Sequence, residues 1–510
     1  MWYMMLKRVK SFMGSRLVYL VALLIFMTHF VISWIYSNPE LDPNVITVFL
    51  EAFEGLRELD AAYIQVNYYT GNFFLLIPLL EFLGYSPRVF RGLMIGLMSL
   101  SSSVIFLGVS KKYDLKTGLI GILFLFNSGV WLTFRFVDYT YVLFCVSVML
   151  YVFVLWEKSR ERKFVYAFSF LAGLFFYFKA ITGYVTVGIL LGGLVQYRTF
   201  LRDYLSIKTV FIAIFFFSIG ISPFIGMTFL GGLDWHKDII TVEDNYEEDF
   251  TVSELTELRY SQFNSVIRPH NFVRDHHTKE GSGLPSISLI LLATALLISL
   301  KTGRSMVYAI TLPAVFLLLF YVTNQTSFRQ VMVLLPVSAY LFSFLVSLTS
   351  SDRIKNVVIL FLFISLVIYI SELPSYYEDN YPLSEFGHNQ VVSQEQFHEY
   401  QEMDLGAEVA TNNNIIRHMT RYDQDTKGYY LVEKEIRTGS EYDMAALRRY
   451  RKTIDDLEAK DSIYFVLSDE CAPDLRICGI ERSKVKQELD LEISKKKYFD
   501  GQKHYIVKTG

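Results

Sequence analysis

The chain has 510 residues, of which 52% are hydrophobic and 16% are aromatic, while only 19% carry a charge. Its mean hydropathy of +0.32 excludes a single soluble domain of this length, because such a domain would expose too much apolar surface to water. The formal net charge of −3 averages an apolar part before residue 372 and a charged part after it. It therefore gives no indication of nucleic-acid binding, and no nucleic-acid partner is expected.

Apolar runs of the length of membrane helices recur up to residue 371. The first follows a basic N-terminal flank and lacks an A-x-A-like cleavage site, so it is predicted to remain as a signal anchor. The predicted spans are 17–36, 88–109, 117–134, 138–156, 164–179, 181–197, 208–232, 284–300, 305–323, 330–349 and 355–371. The predicted fold class is therefore an α-helical polytopic membrane protein with about eleven transmembrane helices.

Lysine and arginine are concentrated in alternate turns of this pattern. Because basic residues favour the cytoplasmic side, the sequence predicts a multi-pass protein with a cytoplasmic N-terminus, located in the cell membrane if the source is prokaryotic. The long loop 233–283 and the C-terminal part are then extracytoplasmic. The basic turns are 7–16, 111–116, 158–163, 198–208, 301–304 and 353–355.

Two domains are predicted, a transmembrane domain over 1–371 and a small extracytoplasmic α/β domain over 372–510. The first external loop, 37–87, is predicted to hold interfacial helices. Residues 46–64 have amphipathic spacing, and the apolar run 71–84 is too short to cross a bilayer.

Strand and helix patterns alternate in the C-terminal part. Strand-like runs occupy 428–433, 462–469 and 503–509, and a helical pattern occupies 444–460, which together favour an α/β domain. Cys471 and Cys478 either form a local disulfide in an oxidising compartment or stay as unpaired thiols. Cys145, inside an apolar run, is predicted to be a small packing residue.

Asp42, in the segment ELDPN after the first span, is the first candidate catalytic residue. A carboxylate above the membrane surface is suited to act as general base toward an acceptor hydroxyl or amide. An aspartate before proline is also a common helix N-cap. The two roles are compatible.

Four further charged residues lie at predicted outer helix ends, where an ionisable group is costly and often functional. In FRFVD, Asp138 is a candidate for ordering the catalytic site or helping to bind a metal ion, and Arg135 is a candidate for holding a phosphate. Alternatively, the two form a structural pair. Lys179, in YFKAITG, and Arg329, in FRQVMVLLP, are candidate phosphate contacts. Both also fit the role of interfacial anchors.

The loop 233–283 contains oxygen and imidazole side chains that suit Mg²⁺ or Mn²⁺, with His236 and Asp238 as the nearest pair. Their spacing is not that of a defined metal site. A solvated acidic loop is the favoured interpretation, and a divalent cation the alternative.

In these motifs the chain resembles the GT-C membrane glycosyltransferases, particularly the group of protein O-mannosyltransferases and lipid A aminoarabinose transferases. The likeness covers 17–200 and, more thinly, 305–345. The residues of this chain that match the family pattern are Asp42, Asp138, Lys179 and Arg329. The chain departs from the family in having a single aspartate at ELDPN and no Lys-Pro-Pro-like element near YYTGNFFLLIPL.

The resemblance implies inverting transfer of a sugar from a polyprenyl- or dolichyl-phosphate donor to a protein, lipid or glycan acceptor on the extracytoplasmic face. Asp42 is then the base, while Lys179, Arg329 and Arg135 stabilise the departing phosphate. A transporter or flippase is the rival interpretation. It predicts ionisable residues near the bilayer midplane and internal repeats.

Overall fold

The computed structural model describes the larger part of the first 380 residues and the strands that follow them. The described residues are 2–36, 79, 82–83, 87–128, 131–132, 137–178, 181–200, 206–231, 252–268, 286–322, 328–380, 398, 400, 408–411, 427–430, 432–435, 463–468, 477–479, 495–499 and 502–509.

Helices dominate the described part of the chain. In chain order they are α1 (Trp2–Tyr36), α2 (Pro87–Lys112), α3 (Leu115–Asn127), α4 (Val137–Ser159), α5 (Arg162–Phe178), α6 (Ile181–Gln196), α7 (Ile207–Gly231), α8 (Val252–Ile267), α9 (Ile287–Thr302), α10 (Met306–Val322), a 3-10 helix (Phe328–Val333), α11 (Leu334–Ser347) and α12 (Asp352–Asn380).

Each predicted span overlaps one of these helices. Among the described residues, four helical segments are long and apolar enough to cross a membrane, which supports a membrane protein: Arg16–Ile35, Arg91–Lys112, Thr140–Ser159 and Asp352–Leu373. Shorter apolar helices accompany them. For example, the 16 residues of α6 give about 24 Å of helix, less than the roughly 30 Å of bilayer hydrocarbon. The count of eleven spans stays a prediction.

The centre of the helical unit is α11, in which every residue from Leu334 to Phe344 is buried. The sequence predicts one continuous helix over 330–349, but the chain forms a 3-10 helix up to Val333 and becomes α-helical afterwards. Pro336 accounts for the change. Its ring would clash with the Met332 carbonyl in an α-helix, and it has no N–H for the corresponding hydrogen bond.

Paired glycines allow α5 and α7 to pack with their backbones in close approach. A Cβ atom added to Gly220 would overlap the carbonyl oxygen of Phe170, and one added to Gly173 would overlap the carbonyl oxygen of Phe217. The contact is therefore reciprocal. Much of the rest of α7 is exposed, including Phe211, so the glycine contact is an important part of what attaches α7 to the unit.

The Glu157 carboxylate joins four helices at one end of the helical unit. It pairs with Lys112 from α2 and accepts a hydrogen bond from the Tyr197 hydroxyl after α6. Gln196 also donates to it, over 3.3 Å between Nε2 and Oε1. The Gln196 amide oxygen accepts from the Val307 backbone N–H at 3.1 Å, which brings in α10.

Further side-chain contacts bring more turns to this end. The hydroxyls of Tyr113 and Ser305 are 2.8 Å apart, and Lys355 Nζ is 2.7 Å from Asp114 Oδ2. The basic turns after α2, α4, α6 and α9, and the turn before α12, therefore lie together, and we call this the basic end. Grouping of these turns agrees with the pattern of lysine and arginine in the sequence. The side of the membrane that this end faces stays a prediction.

The described residues from 408 onward form strands. These are β1 (Glu408–Thr411), β2 (Lys427–Tyr430), β3 (Val432–Glu435), β4 (Ile463–Ser468), β5 (Ile477–Gly479), β6 (Lys495–Phe499) and β7 (Gln502–Thr509).

Five of these strands form a mixed sheet in the order β2-β1-β4-β7-β6, and β3 pairs with β5. β1 is parallel to β2 and β4, whereas β7 is antiparallel to β4 and β6. The three strand-like runs coincide with strands, but the predicted helix 444–460 lies outside the described residues. The α/β domain and its boundary at 372 stay predictions, as does the disulfide, because Cys471 also lies outside the described residues.

Replacing Gly220 with alanine is expected to lower the melting temperature of the purified protein in detergent. The new methyl group overlaps the Phe170 carbonyl, and such overpacking costs about 1–3 kcal/mol. Gly96→Ala is the matched control. Its Cβ would lie 4.0 Å from Phe30, so the higher helix propensity of alanine should leave stability unchanged or slightly improved. Equal melting temperatures for the two variants would contradict the close packing of α5 and α7.

The Asp114–Lys355 contact predicts an acid-dependent loss of stability. Burial alone would raise the pKa of the Asp114 carboxyl, but the hydrogen bonds from Lys355 and Thr117 and the charge of Lys355 outweigh it and lower this pKa below the ordinary 3.8. The carboxylate therefore stabilises the fold above pH 3.8, and the contribution is lost as the pH falls through the lower, folded-state pKa.

The measurement is the difference in melting temperature between wild type and Asp114→Asn across the acid range. Wild type should be the more stable at neutral pH, and the difference should shrink below pH 3.8. Asp352→Asn removes an exposed ion pair with Lys116 at 3.3 Å and should have little effect at any pH. A difference for Asp114→Asn that persists in acid would rule out the charge as its origin.

Candidate functional site

The structure describes two of the predicted site positions. Asp138 is the second residue of α4, and Arg329 is the second residue of the 3-10 helix. The other predicted residues lie outside the described residues: Asp42, Arg135, Lys179, His236 and Asp238. The roles of all seven residues stay predictions.

The helix ends next to these positions lie at the end of the unit opposite to the basic end. α4 ends near Glu157 at the basic end, so its beginning, with Asp138, is at the other end. α5 packs antiparallel to α4 after a two-residue turn, and it therefore ends beside the beginning of α4. The 3-10 helix contacts both α4 and α6. The segments that contain Asp138, Lys179 and Arg329 thus adjoin neighbouring helix ends.

A short hydrogen bond closes the junction between α5 and α6. The buried Thr182 hydroxyl donates to the Phe175 carbonyl at 2.6 Å, so the last turn of α5 is tied to the first turn of α6. Lys179 belongs to this junction, which begins after Phe178 and ends before Ile181. The ends of the segment that contains Lys179 are therefore fixed.

A buried polar network holds the C-terminal half of α1. His29 Nδ1 is 2.8 Å from the Ser102 hydroxyl of α2, and the Trp131 indole N–H donates to the same hydroxyl at 2.9 Å. The Ser33 hydroxyl donates to the Leu132 carbonyl at 2.7 Å. Every one of these polar side chains is buried. The network therefore ties the end of α1, which precedes Asp42 in the sequence, to residues 131–132, which precede Arg135.

A buried arginine on α8 is a candidate that the sequence analysis missed. Arg259 is 1% exposed, and its Nη1 donates to Gln262 Oε1 at 3.0 Å. α8 contacts the 3-10 helix that contains Arg329, as well as α9 and α10. Arg259 therefore brings a positive charge into this part of the unit.

The prediction of a solvated acidic loop over 233–283 is wrong for the α8 part of that loop. Its buried residues Arg259, Gln262, Phe263, Val266 and Ile267 follow the spacing of one helix face. Asn264, beside this face, adds a further contact, because its Oδ1 accepts from the Ser286 backbone N–H at 2.8 Å. Packing against neighbouring helices, which periodicity alone does not reveal, buries this face.

A metal site has no support in the described part of the chain, where no three of the His, Cys, Asp and Glu side chains are grouped to hold an ion. His236 and Asp238 lie outside that part, so a Mg²⁺ or Mn²⁺ site there stays a prediction. Cys145 is fully buried in α4, which confirms its role as a packing residue.

Ser102→Ala is expected to destabilise the protein more than Ser99→Ala. Ser102 serves both His29 and Trp131, so its loss removes the hydroxyl partner of two buried rings and costs about 1–3 kcal/mol. Ser99 is equally buried but donates only to the Ile95 carbonyl of its own helix, at 2.8 Å. Thermal unfolding of both variants in detergent measures the difference, and equal destabilisation would contradict a special role for the network.

Comparison of the chain with models of known protein families and with characterised proteins found no match. The function of the chain is therefore inferred from its own residues, from the packing of its helices and from the resemblance of its motifs.

Proposed function

We propose that the chain is a membrane glycosyltransferase of the GT-C type. It transfers a sugar, with inversion, from a polyprenyl- or dolichyl-phosphate donor to a protein, lipid or glycan acceptor on the extracytoplasmic face. The observation that carries the proposal is the packing at the end of the helical unit opposite the basic end. There the 3-10 helix with Arg329 contacts α4, whose second residue is Asp138, and α6, which follows Lys179.

The reaction requires a base on one side of the sugar carbon and positive charge on the other. Asp42 removes the proton from the acceptor as the acceptor attacks. The bond to the lipid phosphate breaks, and the phosphate leaves with additional negative charge. Lys179, Arg329 and Arg135 stabilise that charge, which matters most in a site that excludes water. Asp138 holds the surrounding segment in position.

Arg259 extends this set with a residue from the described part of the chain. It is a buried cation on α8, and α8 packs against the 3-10 helix that contains Arg329. A second arginine near this helix fits a substrate with a phosphate group, because a guanidinium group binds phosphate oxygens through two parallel hydrogen bonds. No divalent cation is required by these residues, although Mg²⁺ or Mn²⁺ is compatible with the loop around His236 and Asp238.

The membrane helices suit the physical nature of the substrates. A polyprenyl or dolichyl chain is soluble only in the bilayer, while the sugar and the acceptor group are polar. An enzyme for this pair needs its reactive groups at helix ends, where lipid and water meet. The charged candidates occur at predicted helix ends, as this requirement demands.

The transporter alternative requires ionisable groups in the middle of spans. His29 has such a position within the segment Arg16–Ile35. Its Nδ1, however, is paired with Ser102, and its ring lies edge-on against Phe126 at 5.2 Å. These contacts favour a structural role, so the enzyme is the better supported of the two proposals.

The test is turnover of polyprenyl-phosphate sugars by the purified full-length protein with protein, lipid and glycan acceptors. Asp42→Asn should lower turnover by about 100-fold or more, because a general base contributes that much, with little change in melting temperature. Asp352→Asn is the matched control, since Asp352 is 76% exposed at the basic end. If Asp42→Asn retained the activity of Asp352→Asn, Asp42 would not be the base.

A further inference from the structure

The turn between α4 and α5 holds an arginine in an unusual setting. Arg160 has a backbone φ of 57°, a left-handed conformation that residues other than glycine seldom adopt. Its guanidinium carbon is 4.2 Å from the centre of the Tyr197 ring and 4.8 Å from those of Trp156 and Phe200. Three aromatic rings therefore fix the position of this cation.

The aromatic rings hold the cation without neutralising it. Nη1 of Arg160 has no hydrogen-bond partner among the described residues, and the phenol of Tyr197 is bonded to Glu157. The nearest acidic residues in sequence have other partners. Glu157 is in the ion pair with α2, and Glu161 lies 2.6 Å from Lys163. Nη1 itself is enclosed, but Arg160 as a whole is only partly buried. Its positive charge is in excess over the acidic groups beside it, so the turn attracts an anion from outside the chain.

An exposed apolar face of α6 leads to this cation. Leu190 and Leu194 are each 51% exposed. Tyr197 follows them at the spacing of a single helix face, and its backbone N–H continues the helix by donating to the Gly193 carbonyl at 2.9 Å. The apolar face therefore ends at the ring that contacts Arg160. This arrangement matches an amphiphile with a phosphate at the end of a hydrocarbon chain.

We propose that Arg160, with Trp156, Tyr197 and Phe200, binds the phosphate of an anionic phospholipid whose acyl chain lies along the exposed face of α6. Residues 157–163 include four basic and two acidic side chains, so the turn favours a headgroup with net negative charge over a zwitterionic one. Aromatic rings at this depth are typical of the membrane interface. The proposal requires only that the helices lie in a bilayer, and it is independent of the glycosyltransferase proposal.

The first experiment measures lipid binding to the full-length protein in detergent. Dioctanoyl-phosphatidylglycerol is added to wild type, Arg160→Gln and Arg304→Gln, and bound lipid is counted by native mass spectrometry. Arg304 is exposed in the turn between α9 and α10 at the same basic end, so both variants lose one positive charge there. Arg160→Gln should weaken binding about tenfold, the effect of losing one charge-assisted contact, whereas Arg304→Gln should bind as wild type does.

A second measurement separates lipid binding from folding. Phosphatidylglycerol should raise the melting temperature of wild type and of Arg304→Gln but not of Arg160→Gln, whatever the starting stability of that variant. Arg160→Lys keeps the charge but loses the planar stacking and paired donors, so it should retain only part of the shift. The proposal is overturned by equal loss in Arg160→Gln and Arg304→Gln, or by an equal shift with dioctanoyl-phosphatidylcholine.

Discussion

The carboxylate of Glu157 is the interaction on which the helical unit most depends. A carboxylate largely removed from water is costly unless charged and polar donors surround it, and Lys112, Tyr197 and Gln196 provide these donors. Since Lys112 comes from the end of α2 while Gln196 and Tyr197 come from the end of α6, compensating one charge also fixes α2 and α6 against α4. Gln196 extends the constraint to α10 through the backbone of Val307.

The opposite end of the unit is held by a different kind of contact. There the described ties are neutral hydrogen bonds, such as those from Ser33 to the Leu132 carbonyl and from Thr182 to the Phe175 carbonyl. Fixed helices with reactive side chains at their ends are the arrangement that positions a site most precisely. Charged contacts at the basic end and neutral hydrogen bonds at the other end are consistent with the proposed enzyme, in which the contacts of the basic end are structural.

The sequence predicted the helices well because long apolar runs have few alternatives in a membrane. It failed where a local rule competed with the run. Pro336 converts the first part of the 330–349 run to a 3-10 helix, and α12 continues beyond the predicted end at 371 to Asn380. The network at His29 was also missed, because a lone histidine in an apolar run gives no indication of its partners. The roles of the five predicted site residues outside the described part of the chain remain predictions, since each role depends on neighbours that are distant in sequence.

Arg259 illustrates most clearly what packing adds to sequence. In the amino-acid sequence α8 appears as a polar segment of an acidic loop, and an arginine there suggests only contact with water. In the fold, Arg259 shares its helix face with Phe263 and Val266, which are buried as it is. The long loop is therefore part of the helical unit for at least this helix, and it brings a positive charge to the segment that contains Arg329.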